Sequence, residues 1–226
     1  MLLPEYLTFT GVDDRTNLDE LKTIHTKYPK NIEWGVLLSA DSKNARYPSV
    51  DGFNEIINYF IENNITYAVH LCGKMAREAV WEKDNKKEYI KAFNNANTIQ
   101  INGGLERSQY VDYMNSLFKN KIVLQTKHVF DSENYRQLFD QSGGRGKEVA
   151  KVSVPSLKLN KLVGYAGGIS YLTIFQYIRW INNTVDNTKK CKYWLDMESS
   201  IRTNNWFDLE KINLIADTLY YRPKRI

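Results

Sequence analysis

Short apolar runs alternate with longer amphipathic segments along the chain, about eight times. The apolar runs are rich in β-branched and aromatic side chains, which is typical of buried parallel strands. The segments between them have helical periodicity, so each strand and the helix after it form a βα unit with a right-handed crossover. We predict strands that begin near Tyr6, Ile32, Tyr67, Thr98, Ile122, Gln137, Leu162 and Tyr193.

Eight βα units predict one (β/α)₈ barrel, an α/β fold that covers residues 1–226 as a single domain. The 226 residues suit it, because such barrels run to about 250 residues. An open doubly wound sheet is the alternative that periodicity alone leaves. Two segments fit the pattern poorly: a fifth helix around residues 134–136 looks short, and residues 147–161 have no clear period.

Composition narrows the class of protein. The net charge is +5, but most lysines are interleaved with acidic residues, which favours a solvated surface over a nucleic-acid-binding stripe. The two cysteines, Cys72 and Cys191, form no CxxC pair, which argues against a disulfide scaffold or a structural zinc site. Neither a secretion signal nor a membrane-spanning run is evident. We therefore expect a cytoplasmic monomer or homodimer without metal or cofactor, which binds neither nucleic acid nor membrane.

Polar residues gather where the predicted strands end. In a (β/α)₈ barrel these carboxyl ends face the mouth that holds active sites. Acids, histidines and a lysine concentrated at one rim indicate a functional site, because burying charged groups costs free energy without a compensating role. The residues at these positions are Thr10, Asp13, Asp14, Ser39, Arg46, His70, Cys72, Gln100, Asn102, Gln125, Lys127, His128, Asp140, Ser142, Asp196, Glu198 and Ser199.

Glycines give a second signal after the later strands. Glycine lets the backbone approach a phosphate, and free amides at a nearby helix start bind the anion. Barrel enzymes often hold a phosphate at the loops after strands seven and eight. The expected phosphate-binding residues are Gly143, Gly144 and Gly146 after strand six, Gly167, Gly168 and Ser170 after strand seven, and Ser199 and Ser200 after strand eight.

An ordered set of motifs resembles the phosphoribosylanthranilate isomerases, barrel enzymes of tryptophan synthesis. The motifs cover nearly the whole chain and are clearer in its second half. Residues 44–49 (NARYPS) resemble the family's SPRYVS, and residues 99–103 (IQING) resemble its VQLHG. Residues 139–147 (FDQSGGRGK) resemble its LLD and GGTGK, and residues 166–168 match its AGG. Residues 195–199 (LDMES), followed by residues 208–211, resemble its VDVSSGVE and DLEKI.

The resemblance implies roles for individual residues. Asp140 matches the general acid, Arg46 the arginine that meets the substrate carboxylate, and Asp196 an aspartate that contacts substrate. Gly167, Gly168 and Ser199 match the phosphate-binding backbone. The family's general base is a cysteine, and Thr10 stands in its place here, although a threonine hydroxyl is a poor base at neutral pH. Ser200 and Arg202 replace the closing glycine and glutamate of SSGVE.

We therefore expect an enzyme that acts on a small phosphorylated substrate, a sugar phosphate or a phosphoribosyl compound, by an isomerase-type proton transfer. Asp140 would be the acid, a role that requires burial to keep the carboxyl group protonated. The candidates for the missing base are Asp13, His70, Cys72 and His128. The residues expected to bind substrate are Arg46, Asp196, Lys127 and Gln100.

Other functions remain open. Lys127 could form a Schiff base in an aldolase or lyase if it were desolvated. A barrel that has lost its base could bind a phosphorylated metabolite without catalysis. His70, Asp140, Asp196 and Glu198 could ligate a metal, although such rim residues more often act as acids and bases.

Overall fold

Eight parallel strands close into a barrel in the computed structural model, which describes residues 2–39, 44, 46–73, 86–103, 108–128, 135–140, 142, 162–184 and 192–221. Each strand pairs with the next in the chain, and β1 pairs with β8, which closes the sheet. The predicted barrel is therefore confirmed, and every strand begins within one residue of its predicted start. The strands are β1 (Leu7–Thr10), β2 (Ile32–Leu38), β3 (Tyr67–Leu71), β4 (Thr98–Ile101), β5 (Ile122–Thr126), β6 (Arg136–Asp140), β7 (Val163–Ala166) and β8 (Tyr193–Met197).

Six α-helices lie within the described residues. Side chains that accept a hydrogen bond from a first-turn amide cap three of them: Asn17 caps α1, Ser49 caps α2 and Asp208 caps α6. None of the described helices is both long and apolar enough to cross a membrane. The helices are α1 (Leu18–Lys27), α2 (Val50–Glu62), α3 (Lys86–Asn95), α4 (Ser108–Leu117), α5 (Ile174–Thr184) and α6 (Leu209–Tyr220).

Two details differ from the sequence prediction. Arg136, expected in a short fifth helix, begins β6, because its segment continues the pairing of β6 with β5 back to Val123. Between β8 and α6 the chain adds a 3₁₀ turn (Ser199–Ile201) and a small hairpin formed by β9 (Arg202–Thr203) and β10 (Trp206–Phe207). Residues 129–134 and 147–161, where the pattern was weak, lie outside the described residues.

The main apolar core lies between the strands and the helices, whereas the inside of the barrel is partly polar. Val123, Leu138 and Trp194 form a separate cluster of buried apolar residues. On other strands Glu33 is buried and accepts hydrogen bonds from the hydroxyls of Thr8 and Thr98, both at 3.0 Å. Burial raises the pKa of Glu33, whereas the charge of Arg136 and these two hydrogen bonds lower it by less. Polar side chains are thus held within the barrel by specific partners.

Candidate functional site

A small cavity of about 70 Å³ lies at the carboxyl ends of the strands. Parallel strands bring these ends together at one face of the barrel, so residues distant in sequence meet there. Thirteen of its sixteen lining residues were expected at the strand ends or in the glycine turns. The lining residues are Arg46, His70, Gln100, Asn102, Gln125, Asp140, Ser142, Ala166, Gly167, Gly168, Ile169, Asp196, Met197, Glu198, Ser199 and Ser200.

Asp196 is a carboxyl group of this cavity whose pKa is strongly raised. It is buried on β8, and the hydroxyl of Thr10 donates to its Oδ1 at 2.7 Å. Burial raises the pKa of Asp196 to about 8, and the charges of Glu198 and Asp140 act in the same direction, whereas the Thr10 hydrogen bond opposes them. Asp196 therefore holds a proton at neutral pH, and Thr10 leaves Oδ2 as the oxygen to carry it.

Asp140, at the end of β6, is equally buried but differently bonded. Its Oδ2 accepts from Nε2 of Gln125 at 2.8 Å, and its Oδ1 accepts from the amide and the hydroxyl of Ser142 at 2.9 and 2.7 Å. Since both oxygens meet donors, the carboxylate form fits these partners without rearrangement. Gly167 makes room for it, because a Cβ at that position would lie 2.9 Å from Oδ1 of Asp140.

Glu198 and Arg46 form an ion pair at the rim, with Nη1 of Arg46 3.0 Å from Oε1 of Glu198. The Nη2 group of Arg46 also donates to the hydroxyl of Tyr47 at 2.7 Å. Burial raises the pKa of Glu198, and the charge of Arg46 opposes this. The ion pair neutralises the charge of Glu198, one of the three acidic groups in the cavity. For the Nη1 group of Arg46 to bind a ligand carboxylate, its ion pair with Glu198 would have to break.

Two backbone segments on the β7 and β8 side expose amides to the cavity. Gly167 and Gly168 have φ of +105° and +66°, a region that side chains rarely adopt, and they turn the backbone after β7. The hydroxyl of Ser200 donates to the carbonyl of Ile169, which ties this turn to the 3₁₀ turn after β8. Among the described residues, no hydrogen-bond acceptor is found for the amides of Gly168, Ile169, Ser199 and Ser200.

His70 lies on β3 and Cys72 directly follows that strand, but only His70 lines the cavity. Burial lowers the pKa of His70 to about 3, so its imidazole is neutral at physiological pH. Burial raises the pKa of the Cys72 thiol to about 12, so it stays protonated. A protonated thiol is a poor proton acceptor, which weighs against Cys72 as the base.

Several expected site residues lie away from the cavity. Asp13 is buried in an ion pair with Arg202 at 2.8 Å and also accepts from the amide of Phe207 at 3.0 Å. Lys127 and His128 are exposed beyond β5, where water reaches the amine of Lys127. Ser170 bonds to Thr173 just before α5. Gly143, Gly144 and Gly146 lie outside the described residues.

Sequence reasoning overlooked three residues of the lining, Ala166, Ile169 and Met197, because they are apolar and the search was for polar groups. Their only signal is adjacency: Ala166 and Ile169 flank the Gly167–Gly168 pair, and Met197 stands between Asp196 and Glu198. Thr10 was noted only as a lost base, whereas the structure gives it a hydrogen bond to Asp196. In the part of the chain that the structure describes, no group of three or more His, Cys, Asp or Glu residues is arranged to hold a metal ion.

Comparison with known proteins adds little to this description. Neither known protein families nor curated protein sequences give a match to the chain. Among solved structures, an endo-fucoidan hydrolase from glycoside hydrolase family 107 is similar, with a TM-score of 0.46 and 9% sequence identity over 99% of this chain and 94% of that chain. At this level the likeness carries no argument about activity. The function has to be argued from the cavity itself.

Proposed function

We propose that this barrel binds a small phosphorylated compound, of the sugar-phosphate or phosphoribosyl class, and catalyses an isomerase-type proton transfer in it. One observation carries the proposal: two buried aspartates with different surroundings line the same cavity as a glycine turn whose Gly168 and Ile169 amides have no acceptor among the described residues. Two titratable groups whose environments differ in this way divide naturally into an acid and a base. Backbone amides released by glycines suit a phosphate.

The roles of the two aspartates follow from their hydrogen bonds. Asp196 holds a proton at neutral pH and has an oxygen without a described partner, so we assign it as the acid that protonates a ring or carbonyl oxygen. Asp140 accepts hydrogen bonds on both oxygens, which suits a carboxylate that takes a proton from carbon. The resemblance to phosphoribosylanthranilate isomerases implies Asp140 as the acid instead, and that assignment stays a prediction.

The charges in the cavity are compatible with an anionic ligand. Three acidic groups would repel a phosphate if all were ionised and exposed. Asp196 is neutral at pH 7, and Glu198 is compensated by Arg46. The remaining charge on Asp140 is held by Gln125 and Ser142. A phosphate near Gly168 and Ser199 would therefore approach a cavity whose acidic groups are neutral, ion-paired or hydrogen-bonded.

We expect inorganic phosphate to bind, and Gly168→Val to weaken that binding by about tenfold or more. A side chain at this positive φ both strains the turn and blocks the approach of a ligand to the amides. Isothermal titration calorimetry measures the affinity. Leu172→Ala is the matched control, because Leu172 is 88% exposed and lies four residues beyond Gly168.

A second variant keeps this test valid if Gly168→Val does not fold. Ser199→Pro removes one cavity amide at the first position of a 3₁₀ turn. Because Glu198 has a ψ of −69°, which a following proline disfavours, circular dichroism has to show that this variant is folded. Phosphate affinity equal to wild type in a folded Gly168→Val or Ser199→Pro protein contradicts the phosphate site.

Isomerisation of phosphoribosylanthranilate itself is not expected in the wild-type protein. Thr10 replaces the family's base, and its hydroxyl is occupied with Asp196. Expression in a tryptophan auxotroph that lacks the isomerase should therefore give no growth without tryptophan. An authentic isomerase expressed from the same vector is the control. Robust growth would contradict this expectation and show that another residue supplies the base.

A further inference from the structure

We propose that His70 is a neutral hydrogen-bond donor to the ligand, which presents its Nε2–H group to a carbonyl or sugar-ring oxygen. The inference rests on the proposed function, because it assigns a second ligand atom in the same cavity. His70 lies on β3 and lines the cavity, although only 2% of its surface is exposed. The sequence marked it as a candidate base, which is the opposite role.

The tautomer of His70 follows from Gln100. Nε2 of Gln100 lies 3.2 Å from Nδ1 of His70. An amide nitrogen can only donate, so Nδ1 has to accept and carries no hydrogen. A neutral imidazole then carries its hydrogen on Nε2.

Gln100 is oriented by its own neighbours. Its Nε2 also donates to Oδ1 of Asn102 at 2.9 Å, and Nδ2 of Asn102 donates to Sγ of Cys72 at 3.2 Å. The thiol of Cys72 in turn donates to the backbone oxygen of His70 at 3.6 Å. Every donor in this closed circuit has an acceptor, and none of its members supplies an acceptor for a hydrogen on Nδ1.

The other ring nitrogen is available to a ligand. Nε2 of His70 makes no hydrogen bond with any other residue that the structure describes, and burial lowers the pKa of the imidazole to about 3. A neutral donor polarises an oxygen without adding a charge that would have to be desolvated. Such a fixed donor, aimed where negative charge develops during proton transfer, stabilises the transition state. With its hydrogen in place, Nε2 cannot serve as the base.

Nitrogen-15 NMR of the histidine side chains of the full-length protein tests the tautomer without any ligand. We expect His70 to keep Nε2 protonated and Nδ1 unprotonated, and to show no titration between about pH 5 and pH 8. Gln100→Glu should reverse the tautomer, since a carboxylate accepts a hydrogen from Nδ1. The spectrum of His70→Phe assigns the signals. A protonated Nδ1 in the wild type, or a midpoint near that of free histidine, overturns the inference.

Two probes, inorganic phosphate and ribose 5-phosphate, test the contact with the ligand. We expect His70→Phe and Gln100→Glu to weaken ribose 5-phosphate binding by about tenfold, the effect of one lost hydrogen bond. For His70→Phe, which adds no charge to the cavity, phosphate affinity should change by less than about twofold. His70→Gln, whose amide can donate, should retain part of the affinity. Equal losses for both probes would assign His70 a purely structural role, and no loss for either would exclude the contact.

The same experiments separate the two proposals. If the wild type binds neither probe, the proposed function fails, while the NMR result still decides whether His70 is a fixed neutral donor. If phosphate binds and ribose 5-phosphate binds no more tightly, the phosphate site stands and the ligand contact of His70 is overturned.

Discussion

Gly164→Ala is expected to destabilise the barrel by about 3 kcal/mol or more, or to prevent folding. A Cβ at Gly164 would lie 2.3 Å from two ring atoms of Trp194 and 2.6 Å from Cδ1 of Leu138. The indole cannot easily move, because it is buried and stacks on Tyr6 with ring centroids 5.8 Å apart. Close-packed interiors absorb an extra methyl group poorly. Urea unfolding, followed by far-ultraviolet circular dichroism, measures the loss.

Gly73→Ala is the matched control for this experiment. Gly73 has a φ of +52°, but nothing lies within 4 Å of a Cβ placed on it. Its replacement should cost about 1 kcal/mol from backbone strain alone. If Gly164→Ala lowered the free energy of unfolding no more than Gly73→Ala does, the side chains around Trp194 would have to rearrange easily. That result would contradict the prediction.

The free energy of unfolding is expected to fall as the pH rises from about 7.5 to about 8.5, and Asp196 contributes to this fall. Burial raises the pKa of Asp196 to about 8, so the native state keeps a proton that the unfolded chain has already lost. Its stabilising contribution is therefore complete below the unfolded pKa and is lost as the pH rises through the folded one. One such proton contributes up to about 1.4 kcal/mol per pH unit.

The pH window is set by the histidines. Burial lowers the pKa of His70 to about 3 and also lowers that of His25. Below about pH 6.5 these two histidines bind protons in the unfolded chain but stay neutral in the native state. Their effect on the free energy of unfolding therefore opposes that of Asp196. Above about pH 7.5 His70 and His25 are almost entirely neutral in both states, and the effect of Asp196 is visible, reinforced in sign by Glu33 and Glu198.

Unfolding in urea at pH 7.5, 8 and 8.5 measures this slope. Asp196→Asn should make the slope shallower, because the amide does not titrate. Asp217→Asn is the control: the Lys27 ammonium and the Tyr28 hydroxyl bonded to Asp217 lower its pKa, so its charge is constant in this window. That variant should shift stability by a constant amount and keep the wild-type slope. An Asp196→Asn slope equal to the wild-type slope above pH 7.5 would contradict the assignment of a protonated Asp196.

Much of the cavity was predictable from the sequence because position along a barrel strand fixes direction. Asp140, Asp196 and His70 stand at or near the ends of apolar runs, and in a closed parallel barrel those ends share one face. The glycine pair after β7 was also predictable, because a tight turn with positive φ favours glycine and adjacent glycines are evident in the sequence. The same reasoning grouped Asp13, Lys127 and His128 with them, because proximity to a strand end does not say which way a loop side chain turns.

The periodicity of the chain thus determined the fold, the strand positions and most of the residues at the mouth, because apolar alternation reflects which surfaces have to be buried. Only the tertiary structure decided the chemical state of those residues. The proton on Asp196 depends on burial and on Thr10, 186 positions away in sequence, and the tautomer of His70 depends on Gln100 on the neighbouring strand. Desolvation and hydrogen-bond partners are properties of a three-dimensional neighbourhood, and a linear pattern carries no record of them.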